Sequence, residues 1–160
     1  IGYINPFNGT LVSRDLVQII GFPNADYFIG YDEVEYITRG QMNAGSKFIT
    51  VTNSIFYHPS RLPEKYVSFL GKKIVYKDYP TWKDYYRVRN TVYTMRIYQS
   101  MKIAKRYASS NIINCLLFPS KDKWNRIKSV IEGYKDGIKG DFSKNTKHIN
   151  IINKISELTR

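Results

Sequence analysis

The sequence predicts an α/β front followed by an α-helical rear, and three observations carry that expectation. Over residues 1–60, β-prone and helical segments alternate as strand, helix, strand, helix, strand, joined by short turns. After Pro80 the apolar residues recur at three- and four-residue steps, which is the period of a helix. The charge divides in the same way. Residues 1–60 hold three Lys/Arg against five Asp/Glu, whereas residues 61–160 hold 22 against eight. Two regions follow, 1–60 and 61–160.

Taken in order, Asn5-Pro6-Phe7-Asn8-Gly9 is turn chemistry, and Thr10-Leu11-Val12 is a short apolar run behind it. Ser13 stands where a helix N-cap belongs, Asp15 lies in the first turn, and Gly21 with Pro23 beyond it ends the helix. Residues 26–31 are aromatic and β-prone, and they deliver the chain to Asp32-Glu33-Val34-Glu35. From Asp32 the pattern turns helical, with Gly45 placed as its stop. Residues 47–57 have the composition of a strand ending at His58-Pro59.

In the rear, Trp82, Tyr85, Tyr86, Val88, Val92, Tyr93, Ile97 and Met101 predict one long amphipathic helix to about Ala108. Residues 112–118 form a second apolar stretch ending at Pro119. Ser120 can cap a third helix whose face holds Trp124, Ile127, Val130, Ile131 and Tyr134. Gly133, Gly137 and Gly140 are expected to loosen the chain, and a last weak helix covers 148–158.

Composition sets the outer limits. A chain of 160 residues, 42% hydrophobic and 24% charged, has room for one ordinary domain. Cys115 is the single cysteine, so neither an internal disulfide nor a cysteine-based zinc site can form. The apolar runs are far shorter than the roughly 20 residues a membrane-spanning helix needs, and no basic-then-apolar leader opens the chain. A net charge of +12 with 14 tyrosines makes nucleic acid or a membrane surface the first suspects.

The densest chemical signal is Tyr31-Asp32-Glu33-Val34-Glu35-Tyr36, with His58 25 residues after Glu33. Three carboxylates in four positions repel one another, yet the N–H groups of a helix start favour negative charge there. An acidic first turn on an exposed helix is the plain alternative, and a merely structural histidine is the plain alternative for His58.

A wider pattern surrounds that cluster. Asn8-Gly9-Thr10-Leu11-Val12-Ser13-Arg14, then Ile20-Gly21-Phe22-Pro23, then Asp26 to Arg39 (Asp-Tyr-Phe-Ile-Gly-Tyr-Asp-Glu-Val-Glu-Tyr-Ile-Thr-Arg) resembles the second half of the catalytic domain of family 2 glycosyltransferases, nearest to bacterial galactofuranosyl- and rhamnosyl-transferase-like members. Tyr85-Tyr86-Arg87-Val88-Arg89-Asn90 looks like that family's YY-x-x-RN element, and Gly133 to Gly140 looks like its closing G-x-x-DG-x-x-G. The motifs span most of residues 2–140 and fall in the family's order.

The resemblance implies a partial GT-A-like mixed sheet with helices, and inverting sugar transfer from a nucleotide-sugar donor to a glycan or lipid-linked acceptor in cell-surface polysaccharide synthesis. A carboxylate of the acidic motif would take the acceptor proton, and a divalent cation, Mn2+ or Mg2+, would neutralise the departing diphosphate. Carried over by position, Glu33 is the base with Asp32 beside it, and His58 is a metal ligand. Glu33 stands where the family has Asp, one methylene longer, so either the acceptor sits differently, Asp32 takes the role, or the activity is weakened, and both residues stand as candidates. Asn8, Gly9, Phe28 and Tyr31 are candidates for the acceptor side, against a plain tight turn for the first two and buried aromatics for the others. The family's upstream nucleotide-binding half carries an Asp-x-Asp motif, and this sequence contains none. The 160 residues, which begin at Ile1, therefore read as the acceptor-side half of a longer enzyme, inactive alone.

Several residues have competing readings. Trp82, Tyr85 and Tyr86 could line a sugar groove, but their helical spacing favours core. Arg87, Arg89 and Asn90 are either the family-like element or plain helix-surface polarity. Arg39 is expected to pair with Glu35 one turn earlier. For the basic rear, Lys102, Lys105 and Arg106, then Lys121, Lys123, Arg126 and Lys128, fit attraction to a membrane surface. A solvated face is the plain alternative, and the lack of any known motif argues against nucleic acid. The place expected for the enzyme is cytoplasmic, peripheral to the inner face of the cell membrane. A non-catalytic basic helical module docking on an acidic surface is the competing function.

Overall fold

The computed structural model describes residues 10–49, 51, 53, 55, 57, 65–76, 80–117 and 122–145. Among them lie five α-helices: α1 (Arg14–Ile20), α2 (Asp32–Ala44), α3 (Thr81–Tyr98), α4 (Met101–Leu117) and α5 (Lys123–Lys139). A short 3-10 turn, Ala25–Tyr27, sits between α1 and α2, and a hairpin of β1 (Lys65–Phe69) and β2 (Lys72–Tyr76) lies between α2 and α3.

The front helices follow their sequence signals. Ser13 Oγ accepts the Leu16 N–H at 3.2 Å, and α1 stops at Gly21, whose φ of 75° suits glycine. Helix α2 ends at Gly45 in the left-handed region. Leu16 and Ile20 of α1 pack on Tyr36 of α2, with Ala44 and Phe48 closing the small cluster. Arg39 holds Glu35 in a two-point pair (2.8 and 3.1 Å). The same guanidinium donates to the carbonyls of Ile20 and Phe22, tying the end of α1 to α2.

The rear is a three-helix unit. Val88 and Val92 of α3, Ala104 and Ala108 of α4 and Val130 of α5 form its core. Asp84, buried on α3, bridges to Arg126 of α5 at 2.6 Å and to Arg87 at 3.1 Å. Helix α5 lies against α3 through Gly133 and Gly137. A Cβ at Gly133 would sit 2.5 Å from the Tyr85 carbonyl oxygen, and one at Gly137 would sit 2.5 Å from that of Arg89. Two bare positions four residues apart thus form the strip along which the helices touch.

Several sequence expectations are overturned. The GT-A-like mixed sheet, and with it the α/β class, is not what the chain forms: among the described residues helices dominate, and the sheet is one two-stranded antiparallel hairpin. Residues 10–12 and the described members of 47–57 are not strands. A β-prone run becomes a strand only against a partner that takes up its N–H and C=O groups, and no partner strand pairs with either run among the described residues. Residues 26–31 bend instead of extending. The Asn24 side chain captures the Asp26 N–H at 2.9 Å, and Phe28, Gly30 and Tyr31 all have positive φ.

The hairpin itself was not anticipated. Its signal is two β-prone runs around Leu70-Gly71, both at positive φ, the two-residue turn that matches strand twist. The long helix after Pro80 is two helices, because Ser100 Oγ accepts the Ile103 N–H and starts α4 afresh. Gly133 and Gly137 do not loosen the chain; they lie buried inside α5. Gly140 does end that helix, at φ 73°. Ser120 and the expected helix at 148–158 lie outside the described residues.

Candidate functional site

The acidic motif opens α2. Tyr31, at φ 71°, turns the chain into the helix and its carbonyl accepts the Glu35 N–H at 3.0 Å. The three carboxylates then part ways. Glu35 is buried, paired with Arg39, and accepts the Tyr98 hydroxyl of α3 at 3.1 Å, so it fastens α2 to α3. Asp32 and Glu33 remain half-buried in the first turn. Burial raises the Glu33 carboxyl above the ordinary range, and the neighbouring Asp32 charge adds to that. A carboxyl so raised is a stronger base than an ordinary glutamate. Burial, reinforced by the Glu35 charge, likewise pushes Tyr98 up to about 12, so it stays a hydrogen donor.

What positions this turn is a clasp built on α3. Arg89 and Asn90 are fully buried. The Asn90 amide donates to the carbonyls of Tyr27 (2.8 Å), Ile29 (3.1 Å) and Gly30 (2.7 Å), its two hydrogens shared among three acceptors. Arg89 Nη2 donates to Asp26 O at 3.0 Å and to Tyr27 O at 3.3 Å. Its Nε reaches the Asn90 side-chain oxygen at 2.9 Å and its Nη1 that of Asn145 at 2.7 Å. Asn145 closes the ring by donating to Asp26 O at 2.7 Å. The segment entering α2 has a backbone too bent for ladder bonds, and side chains of α3 take up its carbonyls instead.

Aromatic rings enclose the clasp. The Arg89 guanidinium lies 4.5 Å from the Phe142 ring centre and 4.8 Å from that of Tyr86. Tyr27 is buried, stacks on Phe142, and its hydroxyl meets Thr94 Oγ1 at 2.6 Å. Tyr85 donates to Asp136 of α5 at 2.8 Å, and Lys144 pairs with that carboxylate at 2.9 Å. Burial of Arg89 away from water lowers its hold on its proton. Around it stand four oxygen acceptors and three ring faces, which disperse its charge.

Of the residues singled out from the sequence, Asp32, Glu33, Tyr31 and Phe28 come together on the turn. Phe28, half-buried, packs its ring 4.9 Å from Tyr86 and acts as a wedge between the turn and α3. Asn8, Gly9 and His58 lie outside the described residues. Tyr85 and Tyr86 are core, and Arg87 is exposed beside Asp84. Asn145 and Phe142 were not anticipated, and no local pattern marks them. Among the described residues no three of His, Cys, Asp and Glu come together where they could hold a metal ion. Asp32 and Glu33 alone are an incomplete donor set, so the described residues do not by themselves fit the expected cation. Among the described residues no helix is long and apolar enough to cross a membrane. Set against known proteins, the chain matches no family model, no curated protein and no solved structure.

Proposed function

We propose that this chain carries the base-bearing, acceptor-side part of an inverting glycosyltransferase of the family 2 type, which moves a sugar from a nucleotide-sugar donor to a glycan or lipid-linked acceptor. The observation that carries the reading is the way the family-like elements meet. The Arg89-Asn90 pair of the first grips the segment that leads into Asp32 and Glu33, and Gly133, Asp136 and Gly137 of the second seat that pair's helix. Three motifs far apart in sequence serve one turn.

In the proposed reaction the acceptor hydroxyl oxygen attacks the anomeric carbon while its proton passes to the carboxylate of Glu33 or Asp32. The bond from the anomeric carbon to the diphosphate oxygen breaks on the opposite face, and the nucleoside diphosphate leaves with that electron pair. The raised Glu33 carboxyl favours it as the base. A divalent cation, Mn2+ or Mg2+, belongs to this reading only through the resemblance. So does a place at the inner face of the cell membrane, where a lipid-linked acceptor would be met.

The test is transfer by the full-length enzyme with a panel of nucleotide sugars, beside Asp32→Asn and Glu33→Gln. Loss of about 100-fold or more in kcat in one variant, with folding intact, is the expected result. Undiminished turnover in both removes the base assignment. Absence of transfer from every donor favours the competing reading, a non-catalytic module docked through its basic helices, for which the exposed rear surface speaks.

A further inference from the structure

We propose that the segment following α5, residues 141–145, is a latch on the acidic turn, and that Phe142 and Asn145 within it are positioning residues for the Asp32 and Glu33 carboxylates, acting through Arg89. As the hold on a base, the latch rests on the sugar-transfer reading; as the hold on a turn, it does not.

The turn needs an outside hold because its backbone is strained. The Ile29 N–H donates to Tyr27 O at 2.6 Å around Phe28, whose φ of 56° and ψ of −58° make a γ-turn of the rare, strained hand. Tyr31 follows at φ 71°, directly before Asp32 and Glu33. Two aromatic residues at positive φ persist only where their surroundings fix them.

Two of those fixings meet at one carbonyl. Asp26 O accepts Arg89 Nη2 at 3.0 Å and the Asn145 amide at 2.7 Å, while the Asn145 side-chain oxygen accepts Arg89 Nη1 at 2.7 Å. A single amide thus braces both the guanidinium and the carbonyl that it serves, 119 residues earlier in the sequence. The Phe142 ring braces the same neighbourhood, 4.5 Å from the Arg89 guanidinium and stacked on Tyr27 at 5.9 Å. The segment arrives already bent. The Asp141 N–H closes on Asp136 O at 2.9 Å, the Ser143 N–H closes on Asp141 Oδ1 at 2.9 Å, and the Tyr86 hydroxyl donates to Lys144 O at 3.3 Å.

What separates this latch from the core is where it lies. Arg89 and Asn90 are fully buried on α3, so changing them disturbs the helices themselves. Residues 141–145 stand past the helix stop at Gly140, half-buried or exposed, and none belongs to the cluster of Val88, Val92, Ala104, Ala108 and Val130. A segment so placed opens locally while the helices stay together.

The experiment compares full-length protein with its Asn145→Ala and Phe142→Ala variants, and with Phe142→Tyr, which keeps the ring. Hydrogen exchange should accelerate about tenfold or more over residues 29–33 in both alanine variants, with Val88 and Val130 as protected as in the parent, and Phe142→Tyr should restore the slow rate. The Glu33 carboxyl, followed by carbon NMR and assigned with Glu33→Gln, should titrate closer to an ordinary glutamate once the turn loosens. If the protein transfers sugar, kcat should fall about tenfold with the donor KM unchanged. Unaltered exchange at residues 29–33 in both alanine variants overturns the latch, as does equal acceleration throughout α3 and α5. A Glu33 titration identical in all four proteins, or transfer undiminished by either alanine, removes the positioning role. A parent that transfers no sugar sinks the enzymatic reading alone, because exchange and titration still decide the latch.

Discussion

Gly133→Ala is a one-carbon change whose sign distinguishes a helix contact from a helix surface. In an exposed helix interior, Ala in place of Gly adds about 1 kcal/mol of stability through backbone entropy. At Gly133 the new Cβ would sit 2.5 Å from Tyr85 O, 3.2 Å from Arg89 N and 3.3 Å from Tyr85 C. Ordinary contact begins at 3.4 Å, so α5 must withdraw from α3 by most of an ångström. The obstacle is backbone, and no side chain can rotate away. Overpacking of this kind costs about 1–3 kcal/mol, with a rigid neighbour at the upper end. Net of the propensity gain, the variant should lose about 2 kcal/mol, a fall of roughly 4–8 °C in Tm for a chain of this size. Gly40 of α2 is the internal control. A Cβ there would meet only side chains of Phe48, Ile20 and Leu16, at 3.4–3.6 Å, so Gly40→Ala should hold or raise Tm. Scanning calorimetry on both proteins decides. A Gly133→Ala Tm equal to or above that of the parent, or shifts of the same sign in the two variants, would refute the close-contact argument.

Two further outcomes follow from the clasp and the turn. Asn90→Ala removes the amide that serves the half-buried carbonyls of Ile29 and Gly30, at about 1–3 kcal/mol for each group left without a donor, while the Tyr27 carbonyl keeps the Arg89 guanidinium. It should lower the urea midpoint and speed amide hydrogen exchange at the start of α2 while leaving α1 protected; equal acceleration in both helices would show that the clasp is not local. Glu33→Gln should stabilise the protein at pH 7. A carboxyl whose proton is held more tightly in the folded state loses stability as pH rises from its unfolded value through its folded one, so the gain should vanish below about pH 4. A gain that persists at low pH would show that charge is not its source.

How much was legible depends on whether the deciding contacts are local. Ser13, Gly21 and Gly45 bound their helices as read, and the Arg39–Glu35 pair stands where its spacing put it, because caps and i, i+4 pairs are settled within a few residues. Residues 47–57 carry strand composition, yet composition cannot supply the partner a strand needs. The three- and four-residue period runs on from Ile97 to Met101 and hides the fresh start at Ser100. Arg89 and Asn90 read locally as helix polarity. Their burial comes from a loop sixty residues earlier and from Phe142 and Asn145 beyond α5, and no window on the sequence joins those segments.

The acidic cluster shows what the long-range contacts add to a local signal. From sequence alone three carboxylates stand in four positions, mutually repelling and equivalent in kind. Arg39 and the Tyr98 hydroxyl remove Glu35 from that set by giving its charge two fixed donors, so its loss would unfasten α2 from α1 and α3. Asp32 and Glu33 keep their mutual repulsion, and burial shifts its burden onto Glu33. The same helix start therefore carries one carboxylate that holds the fold and one made more basic than its neighbours in sequence would make it. A turn kept in that state needs its backbone held from outside, because its positive φ angles forgo regular hydrogen bonds. Arg89, Asn90 and Asn145 supply that hold. Substituting Glu35 should therefore register first as lost stability, and substituting Glu33 first as altered proton affinity, although the two stand only two residues apart.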